Sequence, residues 1–362
     1  MKLEPIDVGL EGVVVAETVL SEVDGERGAL LLRGHPLHHI AGEWTFEEVV
    51  HLFVTGERPD SATRQSLERR LGAARVEAYE HIGRLGAALD VDNGMDALRG
   101  AVAQGQVPED DAMQTVLTLA ARVAVFAAAW SARQSGRSLI APNPERAHAQ
   151  DLLSMYLGRD CDPVYGRALD TYLTTVVDHG MNASTFTARV VASTESDATS
   201  CVVAALGALK GRLHGGAPGP VLDMLDAIGT RDNAEAWLKG ELDHRRRIMG
   251  MGHRVYRVRD PRAAVLEGAV ATLRDDERLA LAKATEETAA RLLAERHPDR
   301  RLRANVEFYT AVLLEALEIP RASFTPTFAC GRVVGWLAHV FEQRSVGRLI
   351  RPKSRYVGPA AR

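Results

Sequence analysis

Three stretches of the 362-residue chain gather side chains able to move protons or hold anions. In GRLHGGAPGP (211–220), His214 is followed by Gly215 and Gly216, which leave its ring uncrowded and the neighbouring amides free. The same placement would suit a helix cap or a turn histidine. In GMGHRVYRVRDPR (250–262), His253 precedes Arg254, Arg257, Arg259 and Arg262. Arginines crowded in this way repel one another unless anions meet them, and guanidinium forks suit carboxylates and phosphates. The plainer alternative is a solvated basic loop. In NVEF (305–308), Asn305 is a candidate N-cap, which puts Glu307 in the first turn of a helix. The helix dipole there favours the carboxylate form; a surface acid matched to the dipole would look the same.

Other histidines carry weaker signals. His35, His38 and His39 (HPLHH) could suggest a metal, but no cysteine or acid stands at matching spacing, and no metal is expected. Asp178-His179-Gly180 falls at a predicted helix end, where a histidine can cap carbonyls. The G-x-G of residues 250–252 does not complete a dinucleotide-binding fingerprint, and neither a Walker A sequence nor H-E-x-x-H occurs.

The elements that position these residues read as mostly α-helical. Aromatic residues are only 5%, while alanine-, leucine-, arginine- and glutamate-rich segments abound. Residues 165–178 put Tyr165, Leu169, Tyr172, Leu173 and Val176 on one stripe, with Gly180 as the expected stop. Residues 111–133 are apolar nearly all round, as in a helix at the centre of a bundle. The most apolar stretch, residues 123–130, is far short of the roughly 20 residues of a spanning helix. Residues 262–296 read as long charged helices ending before Pro298. A new helix opens near Pro220 after the helical run 202–209. Short strands are expected only near the N-terminus, at residues 12–17 and 29–33 around the turn Asp24-Gly25. Trp44, Phe46 and Phe53 are predicted core anchors.

Length suggests two domains, at about 150 residues each. Apolar residues at 46% and charged residues at 25% are ordinary globular proportions. A net charge of -4 argues against a general nucleic-acid or membrane-surface binder. Cys161, Cys201 and Cys330 are too few and too dispersed for a disulfide framework, which suggests a reducing, cytoplasmic compartment. The opening MKLEPIDVGLEG is neither a secretory signal nor an arginine-rich transit pattern.

Taken in order, DHGMNASTFTARVVAST (178–194), LHGGAPGPVL (213–222), GMGHRVYRVRDPRA (250–263), NVEFYTAVLLEAL (305–317), FTPTFACGRVVGWLAHVFEQ (324–343) and RLIRPKSRYVG (348–358) resemble the citrate synthase family. GLEGVVVAETVLSEVDGERGALLLRG (9–34) and TFEEVVHLFVTGERP (45–59) match its opening. The resemblance spans nearly the whole chain and is to the shorter prokaryotic form, which includes 2-methylcitrate synthases. It implies an all-α, two-domain fold and a tight homodimer. The large domain would comprise residues 1–213 and 313–362, and the small domain residues 214–312, closing over a cleft.

The implied reaction condenses acetyl-CoA with oxaloacetate and hydrolyses the thioester to citrate and CoA. A thioester α-proton is so weakly acidic that a donor must stabilise the enol oxygen while a carboxylate takes the proton. By resemblance His214 is that donor, best served by a low pKa, and Glu307 is the base. His253 would polarise the oxaloacetate ketone. Arg262, Arg332 and, from the partner subunit, Arg351 would hold its carboxylates, with a hydrogen bond from His179. Arg257 resembles a contact to the CoA phosphates, and backbone near Gly250 and Met251 would line the adenine site. Acetyl-CoA is a substrate, so no cofactor is implied.

One departure stands out: the family usually has Asp in N-V-D-F-Y, where this chain has Glu307. The extra methylene moves the carboxylate by roughly 1 Å, and a misplacement of that size can cost about 10²-fold in rate if uncompensated. Either the cleft is adjusted to the longer arm, or the protein is a slow, regulatory or differently selective relative. Where relatives often have His-Pro-Met before an aspartate, this chain reads Asn93-Gly94-Met95-Asp96.

Overall fold

The structure is a computed structural model that describes residues 7–215, 218–274 and 276–359. Gly216, one of the two glycines beside His214, lies outside the described residues. A three-stranded antiparallel meander, β1 (Ser21–Asp24), β2 (Ala29–Leu32) and β3 (His35–Pro36), opens the fold. Fourteen α-helices follow among the described residues: α1 (Phe46–Thr55), α2 (Ser61–His81), α3 (Gly94–Val102), α4 (Ala112–Gln134), α5 (His148–Leu157), α6 (Pro163–Thr175), α7 (Ala183–Ala192), α8 (Ala198–Leu209), α9 (Pro218–Ile228), α10 (Ala234–Asp243), α11 (Pro261–Leu273), α12 (Glu277–Arg296), α13 (Val306–Ala316) and α14 (Phe324–Val346). The fold class is all-α with a few short N-terminal strands, as the sequence implies.

Local chemistry sets many of the helix starts. Thr45 and Glu48 form a capping box on α1, and Asp60, Asn93, Asp111, Asn182, Asp197 and Asp276 each accept a first-turn amide. Proline at the first position opens α6 and α11. Burial then decides the arrangement. From Thr115 to Ala132 every residue of α4 is buried, and the helix lies against α2, α3, α5 and α14. At 23 residues it is longer than the apolar stretch read from sequence, and by length and composition it could cross a membrane. Here 83% of its apolar window is covered by the fold itself. Trp44, Phe46 and Phe53 are core residues.

Two expectations are corrected. Residues 12–17 form no strand; β1 lies at Ser21–Asp24 and pairs with β2 from Ser21↔Leu32 to Asp24↔Ala29. Val13 and Val14 are exposed, so their apolarity serves no sheet within this chain. The helix read over 165–178 ends at Thr175, and Gly180, at φ +60°, turns the chain five residues later. The physical reason lies in α14. A Cβ on Gly331 would fall 2.9 Å from Leu173 O, and one on Gly335 would fall 2.1 Å from Val177 O. Only glycine lets α14 lie this close, and it carries Arg332 up to the turn that holds His179.

Helices α9 to α13 pack on one another, and α11 also lies against α6. The loop between α10 and α11 reaches back to the β1–β2 turn, where Arg257 N donates to Gly25 O at 2.8 Å.

Candidate active site

His179, His214, His253, Glu307, Arg262 and Arg332 come from five separate stretches and converge. His179 follows α6 in a turn whose Gly180 amide donates to Ser21 Oγ (3.0 Å) and Asp178 Oδ2 (3.2 Å). Burial, with Arg262, His253 and Arg332 nearby, holds its imidazole well below the usual histidine range. The ring is therefore neutral, and its Nε2 lies 3.1 Å from the Tyr256 hydroxyl.

His214 sits in the turn after α8, its amide bonded to Gly211 O. Ser184, in the first turn of α7, meets its ring. The Ser184 amide donates to His214 Nε2 at 3.3 Å, and Ser184 Oγ lies 2.8 Å from the same nitrogen. An amide N–H cannot accept, so Nε2 is unprotonated and Nδ1 carries the proton. Trp336 Nε1 in turn donates to Ser184 Oγ at 3.1 Å. Burial, helped by Arg332, lowers the His214 pKa to about 4.

His253 has the opposite tautomer. Its Nδ1 accepts from the amides of Val255 and Tyr256, both at 3.0 Å, which leaves the proton on Nε2. Burial and Arg262 lower its pKa to about 4 against the opposing pull of Asp260. Both rings thus offer one N–H with no acceptor among the described residues.

Asn305 caps α13 as expected, its side chain accepting from Glu307 N at 3.0 Å. The partly buried Glu307 carboxyl makes no hydrogen bond among the described residues. Burial raises its pKa to about 7, Arg262 and Arg332 oppose the rise, and Asp260 adds to it. This is the range of a general base.

The two arginines differ. Arg262 is buried and forked onto Asp260, Nε to Oδ1 at 3.0 Å and Nη2 to Oδ2 at 2.7 Å. Asp260 Oδ2 also accepts from Val306 N, tying this arginine to the start of the helix that bears Glu307. Arg332 is only 2% exposed and has no hydrogen bond or ion pair among the described residues. It packs over Phe328 at 4.9 Å, and its Nε is buried without a partner. Burial pulls it down to about 10. A buried, unpaired guanidinium facing two neutral histidines and a carboxyl is a seat for an anion.

The arginine-rich run divides. Arg254 pairs with Glu11 on the surface, and Arg259 is held by Glu267 and Glu286. Arg257 is exposed near Glu26. Gly250 O accepts from Asn305 N, and Met251 is buried and bridges Ala304. Arg351 lies in the exposed segment beyond α14, and no hydrogen bond or ion pair joins it to the cluster among the described residues. No group of three or more His, Cys, Asp or Glu able to hold a metal occurs among the described residues. Sequence reasoning missed Ser184, Tyr256 and the Asp260 fork.

The hairpin turn braces the whole loop. A Cβ on Gly25 would fall 2.2 Å from Val255 O, so Gly25→Ala must push the turn or the His253 loop away. We expect a destabilisation of about 1–3 kcal/mol in urea unfolding; unchanged stability would show that this contact yields freely.

A family model described as citrate synthase, C-terminal domain, matches residues 9–353. Over 358 residues the chain is 36% identical to a citrate synthase of Deinococcus radiodurans, covering 97% of this chain and 95% of the relative. It is equally 36% identical to a 2-methylcitrate synthase of Mycobacterium tuberculosis, covering 98% and 91%. Among solved structures, the ternary complex of carboxymethyl coenzyme A and oxaloacetate with citrate synthase from Thermoplasma acidophilum superposes with a TM-score of 0.88. That chain is 27% identical, with 99% of this chain and 98% of it covered.

Proposed function

This chain belongs to the citrate synthase family, and from that premise we infer that it is an acyltransferase condensing acetyl-CoA with oxaloacetate, then hydrolysing the thioester to citrate and CoA. The observation that carries the assignment of roles is the Glu307 carboxyl, unbonded and with its pKa raised to about 7 beside Arg262 and Arg332.

In this reading the Glu307 carboxylate takes a proton from the acetyl methyl group. His214 donates its Nδ1–H to the thioester oxygen, which gains negative charge as the enol forms. A neutral imidazole suits this task, because it stabilises the oxygen without the charge repulsion that the adjacent Arg332 would impose on an imidazolium. The enol carbon attacks the ketone carbon of oxaloacetate. His253 polarises that ketone through Nε2–H as its oxygen takes up charge. Arg262 and Arg332 hold the oxaloacetate carboxylates, and His179 adds a hydrogen bond. Water then cleaves the thioester and frees CoA.

CoA lies along Arg257 and the backbone of Gly250 and Met251. Residues 214–312 form the small domain that closes the cleft; the packing of α12 on both α9 and α10 supports such a unit, while α13 runs across its C-terminal bound. The enzyme acts as a homodimer in which Arg351 serves the partner's site. Exposed apolar residues on both terminal segments, Val8, Val14, Leu349 and Val357 among them, offer surface for a second copy to cover. Three free cysteines are consistent with a cytoplasmic enzyme.

A thiol-release assay tests this directly: CoA appears only when both acetyl-CoA and oxaloacetate are present. One methylene is worth only about 1–3 kcal/mol to a pocket, so propionyl-CoA belongs in the same assay. We expect acetyl-CoA to have the higher kcat/KM; a tenfold preference for propionyl-CoA would make the enzyme a 2-methylcitrate synthase. Glu307 in place of the usual Asp favours one further reading, a binding or regulatory relative. That reading requires oxaloacetate to bind with no CoA released.

A further inference from the structure

We propose that Tyr256 is a positioning residue for oxaloacetate, its hydroxyl orienting His179 and tying the His253 loop to the large helical body. Tyr256 engages both of the histidines assigned to oxaloacetate, by its side chain and its backbone. Its hydroxyl lies 3.1 Å from His179 Nε2, and its backbone amide donates to His253 Nδ1 at 3.0 Å. Its ring centroid is 4.8 Å from that of His253 and 5.4 Å from that of His179. The side chain is 1% exposed, so the hydroxyl has little access to competing water.

The hydroxyl stays protonated, because burial raises its pKa far above neutrality. His179 is neutral, so Nε2 meets the hydroxyl either as acceptor or as donor, and in both cases the bond fixes the ring's tautomer and orientation. Without that bond, the imidazole is free to flip or change tautomer, and the donor offered to the substrate is no longer defined. The contact also crosses between segments that are 77 residues apart. His179 is anchored through Gly180 to Ser21 in β1, and Arg257, next to Tyr256, is anchored to Gly25 in the following turn. The hairpin therefore holds both ends of the latch, and the seat is complete only when the loop is docked.

This inference rests on the oxaloacetate reading above. Its test is Tyr256→Phe, which keeps the ring and removes the hydroxyl, made in the full-length protein and in a His179→Asn background. We expect the KM for oxaloacetate to rise about tenfold, the KM for acetyl-CoA to stay within twofold, and kcat to change less than the oxaloacetate KM. In the His179→Asn background the same change should add less than twofold, because a residue acting through His179 has nothing left to orient. Additive effects, or equal rises in both KM values, would overturn the proposal, as would an unchanged oxaloacetate KM. If the wild-type chain releases no CoA, the catalytic reading fails by itself. Calorimetric titration with oxaloacetate then decides the role of Tyr256 by the same tenfold criterion, applied to Kd.

Discussion

Glu307→Gln is expected to lower CoA release by about 10³-fold while leaving oxaloacetate binding within a few-fold of wild type. The amide matches the carboxylate in size but cannot accept the acetyl proton, and general bases typically contribute about 10² to 10⁴. The pH profile makes the assignment sharper. The base must be ionised, so wild-type kcat/KM for acetyl-CoA should climb as pH rises through about 7 and then level. The residual activity of the amide variant should lack that limb. Stability moves the other way. Below the ordinary glutamate range both folded and unfolded chains hold the proton. Between about 4.5 and 7 only the folded chain does, so the protonated carboxyl's contribution is lost as pH rises through about 7. Glutamine carries no such dependence, and the variant should therefore gain on wild type across that window in urea unfolding. Near-wild-type turnover in Glu307→Gln would remove Glu307 from the base role. Glu307→Asp separates the remaining possibilities. If the cleft is built for the longer arm, shortening it should cost about 10²-fold; a faster aspartate variant would mark the natural protein as a slow relative.

What could be read along the chain was what neighbouring residues decide. The Asn305 cap, the continuous burial of α4 and the proline-led start of α11 all follow from local pattern. The end of α6 was misplaced because a glycine face on α14, more than 150 residues later, draws the chain out of the helix. Crowded arginines suggested anions, and for two of them the partners are Glu11, Glu267 and Glu286 from elsewhere in the sequence. The histidine tautomers were invisible for the same reason. His214 takes its state from Ser184, thirty residues earlier, and nothing in the spacing of a serine announces that contact. The family resemblance supplied the constellation; burial and hydrogen bonding supplied its protonation states.

Arg332→Met should raise the oxaloacetate KM by about 10²-fold or more without weakening the fold. Arg332 is buried with no hydrogen bond or ion pair among the described residues, so its charge is desolvated without compensation from a direct partner. A methionine of similar reach removes that cost and keeps the packing over Phe328. Asp178 loses a favourable neighbour but keeps Ser21 and the close His339. Stability in urea should therefore hold or rise while substrate affinity collapses, the signature of a charge kept for a ligand. Arg262→Met supplies the contrast. It too should raise the oxaloacetate KM far more than that of acetyl-CoA. However, it strands the buried Asp260 carboxylate that its fork now satisfies, and breaking such a pair costs about 3–5 kcal/mol. Two arginines serving one substrate should thus part company in unfolding experiments. If Arg332→Met proved as destabilising as Arg262→Met, or if it left the oxaloacetate KM unchanged, Arg332 would belong to the architecture of α14, and the anion seat would have to be sought elsewhere in the cleft.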